Sequence, residues 1–200
     1  MKRFLILLAL STGLLFQSIQ VAKADQVQVA MITSMGVIEL ELDRDKAPKS
    51  VANFISYAKK GSYNGTIFHR VIPNFMIQAG GFDKTMQKRS TQASVANEAD
   101  NGLKNSIGTI SMARTSDPHS ASNQFFINTN NNSFLNHRSK TSREWGYAVF
   151  GHVTSGMSVV RKIEAVSTGN RDGMQNVPIN PVVIERVNIT EWEDAGTSEY

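Results

Sequence analysis

Phe68-His69-Arg70-Val71-Ile72-Pro73-Asn74-Phe75-Met76-Ile77-Gln78 sets one arginine and one glutamine among large apolar side chains. A pleated strand sends successive side chains to opposite faces, and on that pattern strands are expected at Ile67 to Ile72 and at Phe75 to Ala79. Alternation does not account for Arg70. A cation placed between Phe68 and Phe75 is either paired or aimed at something absent from the free protein.

Upstream, Val27 to Thr33 and Val37 to Asp43 alternate loosely around Ser34-Met35-Gly36, which predicts a β-hairpin. Asp45 is the expected N-cap of a helix with Pro48 in its first turn. Val51, Phe54, Ile55 and Ala58 then make one apolar helical stripe, and Gly61 marks its end. Downstream, residues 80–105 are polar and too long for a structureless connection, so local turns or a functional loop are expected. Strand character returns at Gly108 to Ala113, Gln124 to Asn128, Tyr147 to Val153 and Val182 to Thr190. Ser155 is the expected cap of a second helix with Val159, Val160 and Ile163 inward. Residues 130–145 form a second polar stretch, whose basic run His137 to Arg143 is either a solvated loop or a substrate-selecting rim. Two helices among roughly eight strand signals favour a closed antiparallel sheet over a βαβ fold.

The first 24 residues read as a secretory signal peptide: Lys2 and Arg3, an apolar run from Phe4 to Phe16, then Ala22-Lys23-Ala24. A membrane anchor is the alternative, but the run is shorter than the about 20 residues a spanning helix needs. Cleavage after Ala24 would leave 25–200 as one domain with no stable anchor. The net charge of +4 then shrinks, because the 21 basic residues fall to 18 against 17 acidic. Near neutrality leaves no charge argument for nucleic acid or an anionic membrane. With no cysteine, the chain has no disulfides, thiol catalysis or cysteine-bound zinc. The four histidines are scattered, so no metal site is expected.

Several blocks in order carry a resemblance. After Phe68 to Gln78 come Asn97-Glu98-Ala99-Asp100-Asn101-Gly102-Leu103, Gly108 to Arg114, Ser122-Asn123-Gln124-Phe125-Phe126-Ile127-Asn128, Asn132-Ser133-Phe134-Leu135-Asn136 and Tyr147-Ala148-Val149-Phe150-Gly151. Together they closely resemble the cyclophilins, a family of peptidyl-prolyl cis-trans isomerases, and look most like its bacterial periplasmic branch. The resemblance covers about Val29 to Thr190. It implies a mainly β fold, a closed eight-stranded antiparallel barrel capped by two α-helices. It also implies rotation about the peptide bond preceding proline, without cofactor. No covalent bond changes in that reaction, so the lack of a recognisable nucleophile–base pair is consistent with it.

By the same resemblance the catalytic residues are Arg70, which would donate to the prolyl nitrogen, and Gln78, which would hold Arg70 and bind substrate backbone. Phe75, Met76, Phe126 and Leu135 would take the proline ring. From the residues alone these four could as well be core, and Arg70 a structural ion pair. Ala113 and Arg114 correspond to the edge that pairs with residues before the proline, and Gln124 to a substrate-contacting glutamine. Tyr147 falls where many members have histidine, and Arg114 where many have asparagine. Phe134 replaces a tryptophan that contacts cyclosporin in many eukaryotic members, so weak cyclosporin binding is expected. Ala79 stands where glycine is usual and is expected to be tolerated. His69 is expected to be a packed, hydrogen-bonded wall residue rather than a base. The expected partners are unfolded or extended proline-containing polypeptides, met by a monomer in the periplasm or outside the cell. A binding module or chaperone that needs no turnover is the alternative, and a host-directed secreted factor a third.

Overall fold

The hairpin expected around Ser34 forms from β1 (Gln26–Thr33) and β2 (Gly36–Asp43), paired along their full length. Their inward residues Val27, Val29, Met31, Ile38, Leu40 and Leu42 are all buried, as period-2 alternation requires. This computed structural model describes residues 26–191, so the signal-peptide reading and the tail after Trp192 lie outside the described residues.

Helix α1 (Pro48–Lys59) buries Val51, Phe54, Ile55 and Ala58, and its chain leaves through Gly61 at φ 65°. The expected cap at Asp45 is corrected: Ala47 is the N-cap and makes no side-chain cap bond. A carboxylate from far along the chain replaces it. Glu98 accepts from the Lys49 and Ser50 N–H groups at 3.0 and 2.8 Å and from the Ser50 hydroxyl at 2.7 Å. Free N–H groups and the positive end of the helix dipole suit an anion there.

The expected strand at Ile67 to Ile72 is broken in two. β3 (Thr66–Ile67) and β4 (Arg70–Ile72) are separated by Phe68 and His69, and β5 (Met76–Ala79) follows a turn through Pro73 and Asn74. β6 (Thr109–Met112), β7 (Phe125–Asn128) and β8 (Val149–Ser155) come next. Helix α2 (Met157–Glu164) buries Val160 and Ile163 and leaves Val159 half-buried. Its cap is Gly156 at φ 85° rather than Ser155. A Cβ at Gly156 would collide with the Val37 carbonyl, so glycine is required by both conformation and space. The last strand, β11 (Val183–Glu191), follows a hairpin of β9 (Thr168–Arg171) and β10 (Met174–Pro178) that the sequence reading missed.

Among the described residues the main sheet has nine antiparallel strands in the order β3-β11-β1-β2-β8-β6-β7-β5-β4. The expected closed eight-stranded barrel is therefore corrected. Among the described residues the fold is mainly β with two α-helices, but the sheet is an open, strongly curled half-barrel. Its two edges, β3 and β4, are consecutive in the chain. At Phe68–His69 the chain leaves β11 and starts a new pairing with β5, so no ladder joins the edges. One face of the curl holds the main core, where Phe54 meets Tyr63, Phe125 and Phe150 at ring separations of 5.0–5.6 Å.

Candidate active site

Register brings the site residues together. Arg70 lies directly opposite Gln78 across β4 and β5, Gln78 opposite Phe126 across β5 and β7, and Phe126 opposite Ser111 across β7 and β6. Opposed residues share a face of the sheet, so these four form one row across four strands. Their sequence neighbours Val71, Ile77, Phe125 and Ile110 point the other way, into the main core.

On the row's face Met76, Phe126 and Leu135 form a second, smaller apolar cluster, with Ile72, Phe75, Ala113 and Tyr147 against it. Above it opens a pocket of about 110 Å³ lined by Arg70, Phe75, Met76, Gln78, Ala113, Arg114, Phe126, Leu135 and Tyr147. That is small beside the ~300–1,000 Å³ of sites for drug-sized ligands, and suits a single side chain. All nine are residues singled out from the sequence. The other two flank the pocket: Gln124 stands behind Gln78, and Phe134 stacks on Phe75 at 5.6 Å.

Arg70 is half-buried, its Nη1 donating to Gln78 Oε1 at 3.4 Å and its guanidinium lying 6.0 Å from the Phe75 ring centre. Gln78 Nε2 in turn donates to Gln124 Oε1 at 2.9 Å. Among the described residues no carboxylate forms an ion pair with Arg70. The structural-ion-pair reading therefore loses its partner, and the guanidinium keeps donors free at the rim of an apolar hollow. Across the pocket Arg114 is pinned. Its Nε donates to the Gly146 carbonyl and its Nη1 to the Thr115 carbonyl, both at 2.9 Å, and its guanidinium lies 4.6 Å from the Tyr147 ring centre. Tyr147 meets Phe126 edge-on at 5.7 Å, so tyrosine serves as a ring wall.

His69 is 1 % exposed and packs on Phe82 at 4.8 Å. Burial pulls its pKa down to about 4, outweighing the Ile67 backbone and Gln124 side chain that favour the proton; the Arg70 charge adds to the fall. It is neutral at pH 7. Packing is as expected, but among the described residues its Nδ1 has no hydrogen-bond partner. Ala79 takes ordinary strand geometry in β5, and the positive φ falls on Gly80.

Sequence reasoning missed the supports. Buried Asn105 donates from Nδ2 to the Leu135 and Tyr147 carbonyls at 3.3 and 3.2 Å, and its Oδ1 accepts from Ser111 Oγ at 2.8 Å and Asn128 Nδ2 at 3.2 Å. Asn132 Nδ2 donates to Asn128 Oδ1 at 2.7 Å and to the Phe75 carbonyl at 2.8 Å. These amides fix three walls of the pocket from beneath. Glu164 of α2 clamps the β4–β5 turn, accepting from the Asn74 N–H and Arg161 Nη1, each at 2.7 Å. Asn74 itself sits at φ 58°, where asparagine is better tolerated than most residues. Only their place inside the quoted blocks could have pointed to Asn105's neighbours Ser111, Asn128 and Asn132.

With this geometry in place, residues 28–189 match the family model described as cyclophilin type peptidyl-prolyl cis-trans isomerase/CLD. A peptidyl-prolyl cis-trans isomerase of Streptomyces antibioticus is 58% identical over 161 residues, covering 80% of this chain and 97% of that protein. One from Acinetobacter baylyi is 52% identical over 189 residues, 94% of this chain and 96% of that protein. Among solved structures, a cyclophilin-type isomerase of Cryptosporidium parvum superposes with a TM-score of 0.68 at 25% identity, covering 84% of this chain and 99% of that one.

Proposed function

The chain belongs to the cyclophilin-type peptidyl-prolyl cis-trans isomerases, and from that premise we propose how its own residues turn the Xaa–Pro bond. Rotation must break amide resonance, a barrier of about 18–20 kcal/mol. In the twisted state the prolyl nitrogen loses conjugation and its lone pair can accept a hydrogen bond. Arg70 donates to it. A donor that meets the twisted amide better than the planar one lowers the barrier by differential binding. Gln78, braced by Gln124, keeps the guanidinium aimed along the pocket rim. The cluster of Met76, Phe126 and Leu135, walled by Phe75 and Tyr147, grips the proline ring while the acyl side turns. Backbone at Ala113 and Arg114 pairs with residues before the proline. The site needs no cofactor, and one ring plus backbone admits many proline-containing chains.

The observation that carries this reading is Arg70, which among the described residues has no carboxylate partner, beside the apolar pocket. A coupled prolyl-isomerisation assay tests it. A hydrogen bond from a charged donor is worth about 1.5–3 kcal/mol, so Arg70→Ala should cut kcat/KM by about tenfold to a hundredfold at little cost in stability. Unchanged turnover would remove Arg70 from the mechanism.

Location and habit are proposed on the sequence. Residues 1–24 direct export, and the mature enzyme works as an unanchored periplasmic monomer that assists folding of exported proteins. Membership of the periplasmic branch rests on the same stretch and on the Asn97 to Leu103 and Tyr147 to Gly151 blocks. Fractionating cells and sequencing the mature N-terminus checks this; full-length protein in the cytosol contradicts it. Phe134 in place of tryptophan makes cyclosporin binding weak, so a nanomolar complex would count against that assignment.

A further inference from the structure

A second cavity of about 260 Å³ adjoins the proline pocket, sharing Arg114 and Tyr147 as walls. Phe134 borders it, 62 % exposed, and the rest of its charged lining is Arg138, Arg143 and Glu144. Three arginines thus face one carboxylate. Arg114 is committed to backbone carbonyls and the Tyr147 ring, and Glu144 Oε2 accepts from Ser139 Oγ at 2.7 Å. Among the described residues neither Arg138 nor Arg143 has an ion-pair partner.

The loop that carries these two cations is anchored rather than loose. Arg138 N–H donates to the Glu144 carbonyl at 2.9 Å, and Trp145 N–H to the Thr141 carbonyl at 2.9 Å. Lys140 pairs with Asp100 at 2.8 Å and lies 5.7 Å from the Trp145 ring centre. A fixed positive rim beside a substrate groove lowers the ordering cost of taking an anion. An extended chain advances about 3.3 Å per residue, so a side chain one or two positions from a proline seated against Tyr147 reaches the second cavity.

We infer that this cavity is an acidic-side-chain subsite, through which the enzyme favours prolines flanked within two residues by Asp or Glu. The inference rests on the proposed seating of proline against Phe126, Leu135 and Tyr147. Surface charge pairs are individually weak, so the preference is modest: kcat/KM about threefold to tenfold higher for a Glu peptide than for its Gln twin. It is also screened by salt.

The test measures kcat/KM for peptide pairs with Glu or Gln at each of the two positions before and after proline. They are compared in wild type and in an Arg138→Gln/Arg143→Gln double variant, at low and at 1 M salt. The inference expects a Glu-to-Gln ratio of about threefold to tenfold at one or more positions in wild type, falling toward one in the double variant and in high salt. Equal rates in wild type, or a ratio that survives the double substitution, overturns it. Equilibrium titration of the same peptides on Arg70→Ala protein separates this inference from the mechanism. If turnover proves independent of Arg70 but Glu peptides still bind more tightly, the subsite stands alone. If turnover needs Arg70 and binding shows no Glu preference, the subsite falls and the mechanism stays.

Discussion

The sheet at β5 and β7 is buried on both faces, but the two faces are filled by different means. On one, Ile77, Ala79, Phe125 and Ile127 pack into a large apolar core with Phe54, Tyr63 and Phe150. On the other, Met76 and Phe126 belong to a small cluster that ends in an open pocket and rests on asparagine amides. The first face is held by non-directional burial, which scales with area and tolerates shifts. The second is held by directional bonds, which place each wall but fail when one partner is lost. A hollow that must stay empty and keep its shape cannot be filled to stabilise it. Its walls are tied down from behind instead.

The sharpest way to break this contrast is in the main core. Phe54→Ala removes a fully buried ring packed against the rings of Tyr63, Phe125 and Phe150 and should cost about 3–5 kcal/mol in urea unfolding. The protein that remains folded should keep near-normal kcat/KM, since Phe54 does not reach the pocket. Activity lost in proportion beyond the unfolded fraction would mean that the two faces are mechanically coupled.

His69, between the two edge strands, gives the next effect. Its folded-state pKa is depressed to about 4 from an ordinary 6.5. The unfolded chain therefore takes up the proton first as pH falls. The contribution to stability is fully present above pH 6.5 and is lost progressively down to about pH 4, amounting to about 3 kcal/mol. Urea unfolding between pH 7 and pH 4.5 should show this loss, and a His69→Gln variant, with nothing to titrate there, should show a flatter profile. Parallel profiles for the two proteins would refute the assignment.

The smallest effect sharpens the contrast from the pocket side. Asn105→Ala should cost about 2 kcal/mol, less than the core ring, yet raise KM because Leu135 and Tyr147 lose their common anchor. A stability loss with unaltered KM would show that the amides hold the fold and not the pocket.

Legibility followed the same division. Elements with apolar period, such as α1 and the β1–β2 hairpin, were read to within a residue or two. The nine pocket-lining residues were all legible because they lie in blocks whose order resembles one family. The amide lattice was not. Asn132 is buried while Asn130 and Asn131 beside it are exposed, and a run of three asparagines looks like loop whichever way each side chain turns. The β9–β10 hairpin lacks alternation in Thr168 to Arg171, and its legible signal is the Asp172-Gly173 turn pair. The caps at Asp45 and Ser155 failed because their work is done by Glu98, far along the chain, and by a glycine squeezed against Val37.

The open edges of the curl have a consequence for a member of a family that takes proline-containing peptide chains as substrates. Unpaired strand edges invite such chains to add on and aggregate. Here each edge is shielded: β3 by Phe82 and Asp83, which meet it through a single bridge and the Ile67 N–H, and β4 by β10, which lies alongside it. The unassuming hairpin thus covers the rim that β4 would otherwise present. With both rims covered, the pocket beside Arg70 stays open on the face of the sheet, away from its edges.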